Sequence, residues 1–370
     1  MNTFKAIDSH IHIFSWTDSV DLNNDDYKQF ITPFKEIEQF GWKDAPAAHN
    51  YKEAVGAFIE SRNYEFVNVA CIPYLGGRDA SQNVMAALLK KENKKVFAHG
   101  GIVYTDEPVT FPFKEGFEPH TQLDELMRIG FDGVKLLETH PKAKRVLKIK
   151  FTDMEFAPFF KKLEEEQIHI LWHVNDPLDY WGEGREFANP EYPDREEVYS
   201  EVYEILRRYP RLKVTFAHMF YMTTQRERLE KLLDDYPNVW IDITPGPINF
   251  RNMSTDKEHW KKFFTKYSDR IMFGTDFSTR GGGYSAPCIY RFLLTDDSFK
   301  IAGMDVEGIK LDTDTLNKIL YSNFLNRVGS RPVQIDMEAL SAYIRKYEYM
   351  MTNETNRIPM LEDCKEKHLI

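Results

Sequence analysis

Eight short apolar runs recur along this chain, and most are followed by a polar loop and a segment of helical period. The runs are Phe4–Phe14, Phe66–Ile72, Val96–Tyr104, Gly133–Glu138, Ile168–Val174, Lys213–Met219, Val239–Ile243 and Arg270–Phe277. Helical patterns fall at Ala80–Lys91, Thr121–Ile129, Met154–Glu166, Arg195–Arg208, Thr224–Asp235 and Asp256–Tyr267. Strands that alternate with helices are parallel and joined by crossovers, because two parallel neighbours need a long connection. Eight such units are the count of a closed (β/α)8 barrel. An open doubly wound sheet is the rival, but no glycine-rich phosphate loop follows an early strand.

The long connections follow strands, where a barrel builds its active face. The first runs from Ser15 to about Arg62 and holds Trp16, Phe30, Phe34, Phe40 and Trp42, which predicts a helical insertion and a candidate lid or dimer surface. The loop after the fifth run carries Trp181, Arg185, Phe187 and Tyr192, and the loop after the eighth carries Arg280 and Gly281-Gly282-Gly283. Beyond Asp312 the pattern reads as helices at Thr313–Phe324 and Asp336–Met350, with a polar tail at Thr352–Ile370 that packs outside or frays. No linker divides the chain, so residues 1–370 are expected to form one α/β barrel domain. Its insertion spans about 15–62, and a helical extension spans about 330–370.

Charge narrows the function. The net charge is −10, from 48 basic and 58 acidic residues, which argues against a nucleic-acid partner. Three cysteines far apart do not make a disulfide framework. No run is long enough to span a bilayer, and the start of the chain lacks a signal-peptide pattern, so a cytoplasmic location is expected.

Polar residues collect at the ends of the apolar runs. His10 and His12 share one face of the first run, since alternate strand residues point the same way. Their Cα atoms would lie roughly 6.5 Å apart, a span that one cation bridges with two imidazoles. His173 ends the fifth run, His218 the sixth and Asp276 the eighth. Core packing does not place His or Asp at the same end of four strands. Imidazoles and a carboxylate with room for water describe a catalytic divalent-metal site, and no thiolate is near.

The segments Asp8-Ser-His10-Ile-His12, Leu171-Trp-His173, Phe216-Ala-His218 and Phe273-Gly-Thr-Asp276 resemble the amidohydrolase superfamily. Within it, they resemble the branch of aminocarboxymuconate semialdehyde decarboxylase, resorcylate-type decarboxylases and lactone hydrolases. A late match, Ile319-Leu-Tyr-Ser-Asn323 through Gly329, extends the resemblance over residues 4 to about 330. The pattern is specific for the superfamily and poor at naming the reaction.

The resemblance implies that His10, His12, His173 and Asp276 hold one divalent metal, zinc ahead of manganese. It implies that His218 handles a proton or adds a ligand, and that Asp276 also moves the proton of the attacking water. Asp8 would orient a ligand histidine or the first strand. Lys135 either lines the pocket or, as in other branches, is carboxylated and bridges two metals. Arg280, Arg185, Lys135 and Trp172 are candidates for contacts to a small, carboxylate-bearing substrate. Glu138 and His140 are further candidate lining residues. His99 is expected inside the barrel, and His169 at the wrong end for the site. The leading reading is a hydrolase in which metal-activated water attacks a lactone, ester or amide carbonyl. The alternative is a non-oxidative decarboxylase of an aromatic or unsaturated acid. A non-enzymatic metal or ligand binder has no support, because all five site residues are present.

Overall fold

A computed structural model of the chain describes residues 4–21, 42–73, 79–244, 247–281 and 285–370. Nine parallel strands form one sheet in the order β8-β7-β6-β5-β4-β3-β2-β1-β9. They are β1 (Ile7–His12), β2 (Phe66–Ala70), β3 (Val96–Gly101), β4 (Gly133–Thr139), β5 (His169–Val174), β6 (Lys213–Phe216), β7 (Val239–Asp242), β8 (Ile271–Met272) and β9 (Phe277–Ser278). All eight expected runs are present as strands. The last is split in two: β8 pairs with β7, and β9 pairs with β1, which closes a TIM barrel.

The split has a visible cause. The Phe273 amide donates to the Ile319 carbonyl at 2.9 Å, while the Phe273 carbonyl accepts from the Ser9 amide at 3.1 Å. Ile319 lies in a π-helical turn, Lys318–Ser322, which interrupts the helix expected over Thr313–Phe324. Asn323 pins the same turn by donating to the Ser268 and Ile271 carbonyls at 2.6 and 2.7 Å. The interrupted helix thus serves the interrupted strand.

Side chains alternate across each strand. Ala70, Leu171 and Ala217 form one small buried cluster. Ile7, Phe97, Met272 and Phe324 form another, at the level where β1 begins. The opposite face packs on helices, and there Trp172 contacts Phe151, Phe160 and Phe216.

Several elements went unread in the sequence. One is the antiparallel hairpin of β10 (Ser298–Ile301) and β11 (Met304–Glu307), closed by Ala302-Gly303 at positive φ. The polar tail does not fray: Glu354–Glu366 is a helix. Its Asn356 accepts from the Trp16 amide at 2.8 Å and donates to the Phe14 carbonyl at 3.0 Å. Part of the first insertion is described. It includes the helix Tyr51–Ser61, capped by Asn50, with Tyr51 against Trp16. Phe30, Phe34, Phe40 and Gly282-Gly283 lie outside the described residues.

Candidate metal centre

The barrel brings His10, His12 and Asp276 within reach of one cation, with Lys135 bonded to His10. His173 groups with His140 and Asp176 and meets the first set through His218, and all of these except Asp276, His140 and Asp176 are buried. Hydrogen-bond partners assign the tautomers. His10 Nδ1 donates to Asp242 Oδ2 at 3.0 Å, and His12 Nδ1 donates to the Ala70 carbonyl at 2.7 Å. His173 Nε2 donates to the Asn175 carbonyl at 2.8 Å. His218 Nδ1 donates to Thr244 Oγ1 at 2.6 Å, and that hydroxyl donates to Asp242 Oδ1 at 2.6 Å.

A neutral imidazole has one N–H and one lone pair. With the N–H groups committed, the lone pairs lie on Nε2 of His10, His12 and His218 and on Nδ1 of His173. These nitrogens face one another. His10 Nε2 is 3.1 Å from His12 Nε2, and His173 Nδ1 is 3.1 Å from His218 Nε2. Two lone pairs at that distance cannot satisfy each other. Two imidazoles on one tetrahedral cation would stand about 3.3 Å apart, so the spacing fits a shared metal. Asp276 Oδ1 lies 3.1 Å from His12 Nε2 and 3.7 Å from His10 Nε2. Lys135 Nζ donates to His10 Nε2 at 2.8 Å.

Electrostatics keep these donors usable. Burial pushes His10 and His173 well below the usual histidine range, and the Lys135 ammonium adds to the shift of both. Burial lowers His218 as well, against the carboxylates of Asp276 and Asp242. Burial therefore favours the neutral form of His10, His173 and His218, the form that metal ligation requires. Burial raises the Asp276 carboxyl, and the lowering by His12, His10 and His218 requires those rings to carry an extra proton, a positive charge that a bound cation would supply instead. Burial brings Lys135 down to about 8, opposed by Asp276 and Asp242.

The supporting residues are specific. Asp242 orients His10 and also accepts from the His218 amide at 2.8 Å. Sequence reasoning passed over it, although an acid in the apolar run Val239–Ile243 was the available signal. Asp8 accepts from the His10 and Thr275 amides at 3.2 and 3.0 Å, so it braces the first strand against the last as expected. Burial raises its carboxyl to about 7.

His218 opens an unusual backbone. His218, Met219, Phe220 and Tyr221 have φ of 59, 56, 55 and 48°, four consecutive left-handed residues without a glycine. Left-handed backbone costs about 1–2 kcal/mol per residue, so about 4–8 kcal/mol over the turn. Buried donors hold it in place. Asn249 donates to the His218 carbonyl at 3.1 Å, Tyr199 to the Phe220 carbonyl at 2.9 Å and Arg195 to the Tyr221 carbonyl at 2.7 Å. The expected strand over Lys213–Met219 stops at Phe216 for this reason.

Other candidates fall elsewhere. Trp172 does not reach the site. It alternates with His173 on β5, is fully buried in the outer layer and donates to Thr139 Oγ1 at 2.7 Å, which corrects its assignment as a substrate contact. Arg280 is at the rim: it bonds Asp18 at 3.1 Å, stacks on Phe14 and keeps a side chain 57% exposed. Arg185 is exposed on the loop after β5. Glu138 is buried and accepts from the Tyr104 hydroxyl at 3.0 Å. His140 joins a second group: its Nε2 lies 2.9 Å from Asp176 Oδ2, and His173 Nε2 is 3.9 Å from Asp176 Oδ1. His140 Nδ1 accepts from the Lys142 amide, so both nitrogens facing Asp176 carry protons. That group is a carboxylate between donors, whereas the first group has lone pairs to offer.

Fold and donor set together define a class: a (β/α)8 barrel with a candidate histidine–carboxylate metal centre at the C-terminal ends of its strands. Residues 7–323 match the sequence model of the Amidohydrolase family, and the chain belongs to that family. No curated protein sequence matches it. Solved structures share its fold. One is an uncharacterised TIM-barrel protein from Bordetella bronchiseptica (TM-score 0.53, 14% identity, covering 87% of this chain and 97% of that one). Another is a probable 2-pyrone-4,6-dicarboxylic acid hydrolase from Acinetobacter baumannii with citric acid bound (0.52, 13%, 88% and 99%). A third is a dihydroxybenzoic acid decarboxylase from Polaromonas sp. JS666 with manganese and 2-nitroresorcinol bound (0.50, 13%, 89% and 97%). Among the described residues, no helix is long and apolar enough to cross a membrane.

Proposed function

We propose that this chain is a metal-dependent hydrolase acting on a lactone, ester or amide carbonyl of a small molecule. The observation that carries the reading is the His10–His12 pair of facing imidazole nitrogens beside Asp276, with the His173–His218 pair reaching it through His218. His10, His12, His173 and Asp276 would hold the cation, and these donors suit Zn2+ or Mn2+. When bound, such an ion polarises a carbonyl and lowers the pKa of water toward 7.

The protein's own groups would do the rest. Asp276, kept anionic, takes a proton from the attacking water and returns it to the leaving group. His218 Nε2 has its lone pair free, so it accepts a further bond to the cation or a proton. Asp242 fixes His10 and the His218 backbone, which keeps both rings in register. Arg280, on the rim, can meet a substrate carboxylate.

A second reading, non-oxidative decarboxylation, is favoured by Lys135. A buried ammonium among the donors could hold a carboxylate as it departs. Product analysis separates the two after metal loading. Lactones and hydroxybenzoates are supplied, and added water or released CO2 is measured. Water addition supports hydrolysis. CO2 release supports the second reading instead. Turnover that survives complete chelation would sink both.

A further inference from the structure

The left-handed turn at His218–Tyr221 needs a reason beyond connectivity. Glycine adopts that backbone freely, yet the chain places phenylalanine and tyrosine there. Phe220 stacks on Phe216 at 4.1 Å, a core contact that does not involve the site. Tyr221 does something different. Its ring lies nearly parallel to His218, with centroids 5.0 Å apart and planes at 24°, and meets His173 edge-on at 5.7 Å. These are the two imidazoles whose lone pairs stand 3.1 Å apart. One ring thus braces both members of a pair that would repel without a cation between them.

We propose that Tyr221 is a positioning residue. The turn spends backbone strain to press its ring on His218 and His173, so that Nε2 and Nδ1 stay aimed at one cation. Arg195 and Asn249 anchor the turn at its two ends, and Tyr199 anchors it between them. The proposal rests on the metal reading above and adds a residue that is neither ligand nor base.

The test compares Tyr221→Phe, Tyr221→Ala and Tyr221→Gly in the full-length protein. Two quantities are read: Co2+ affinity with its visible absorption band, and the melting temperature of the metal-free protein. The ring, not the hydroxyl, should matter, so the Phe variant keeps Co2+ affinity within about twofold. The Ala and Gly variants should lose about tenfold or more and shift the Co2+ band, as expected when support for a ligand is removed.

Strain is read from Gly against Ala, which lack the same ring. At an ordinary position Ala is the more stable of the two. Here the Gly variant should melt about 1–3 °C above the Ala variant, because it relieves the positive φ. Equal Co2+ affinity in wild type and all variants would overturn the positioning role while leaving the metal reading intact. An Ala variant that melts at or above Gly would overturn the strain. Wild-type protein that binds no Co2+ would overturn the metal reading and this proposal together.

Discussion

The barrel interior holds two groups of buried histidines at two depths along the strands. His99 and His169 form the lower group, and His10, His12, His173 and His218 the upper one. His169 and His173 share β5, four residues or about 13 Å apart. In the lower group every nitrogen is matched. His99 Nδ1 donates to Asn68 Oδ1 at 2.7 Å, His169 Nδ1 donates to His99 Nε2 at 2.7 Å and the Thr215 hydroxyl donates to His169 Nε2 at 2.8 Å. The Asn68 amide is itself fixed by donating to the Ser9 carbonyl at 2.9 Å. In the upper group, the N–H groups point outward to fixed acceptors and the lone pairs point inward, that of His10 toward both His12 and the Lys135 ammonium. The lower group has two histidines and the upper has four, and their proton bookkeeping is opposite. A complete chain of donors and acceptors is structure, and a set of facing lone pairs is a candidate metal centre.

The largest expected effect separates the two groups directly. His12→Ala should lower metal affinity at least about 100-fold, beyond what loss of a supporting partner brings. His99→Ala should leave that affinity within about twofold yet cost about 2–4 kcal/mol of stability, because Asn68 and His169 lose buried partners. Metal titration and denaturant unfolding of both variants check this, and a loss of metal in His99→Ala would erase the distinction.

Asp242→Asn comes next. The amide cannot reproduce both acceptor roles toward His10 and the His218 backbone, so metal affinity should fall about 10–100-fold. Calorimetric titration measures it, and an unchanged value would remove Asp242 from the upper group.

Acid sensitivity sharpens the lower group. Burial first, then Lys90 and Lys135, lower His99 to about 3. Its folded pKa lies below the unfolded value near 6.5, so the unfolded chain binds the extra proton between those limits. Stability is full above about pH 6.5 and falls on acidification toward pH 3, by up to about 1.4 kcal/mol per pH unit for this site. Metal-free His99→Gln should be less stable at pH 7 but show a shallower acid slope. Parallel slopes for variant and wild type would contradict the assignment.

The smallest effect belongs to the rim. Arg280→Ala breaks an exposed ion pair with Asp18 and should change stability by less than about 1 kcal/mol. If Arg280 meets a substrate carboxylate, KM rises while the melting temperature stays put. A fall in melting temperature without a change in KM would make the residue a loop tie alone.

Much of this architecture was legible from local pattern. Strand period and helix period are written in neighbouring residues, so the eight runs and the helix Arg195–Arg208 could be read directly. Ligand candidates were legible because a polar residue that ends an apolar run is conspicuous. Trp172 was misassigned because its place beside His173 in sequence hides their opposite faces on the strand. His140 was read only as a candidate lining residue, because nothing local links it to Asp176. Asp242 was overlooked because its partners, His10 and His218, lie 232 and 24 residues away.

The sequence by itself determined the barrel and the imidazoles and carboxylate at its mouth, since alternation of apolar and polar residues dictates elements and faces. Tertiary structure alone decided which nitrogen of each ring is free. That choice depends on the Ala70 and Asn175 carbonyls, Asp242 and Thr244, groups delivered by other strands and loops. It also decided that His218–Tyr221 turns left-handed, because only buried donors from distant helices can hold such a turn. A hydrogen-bond partner is a fact of three-dimensional proximity, and a tautomer follows its partner.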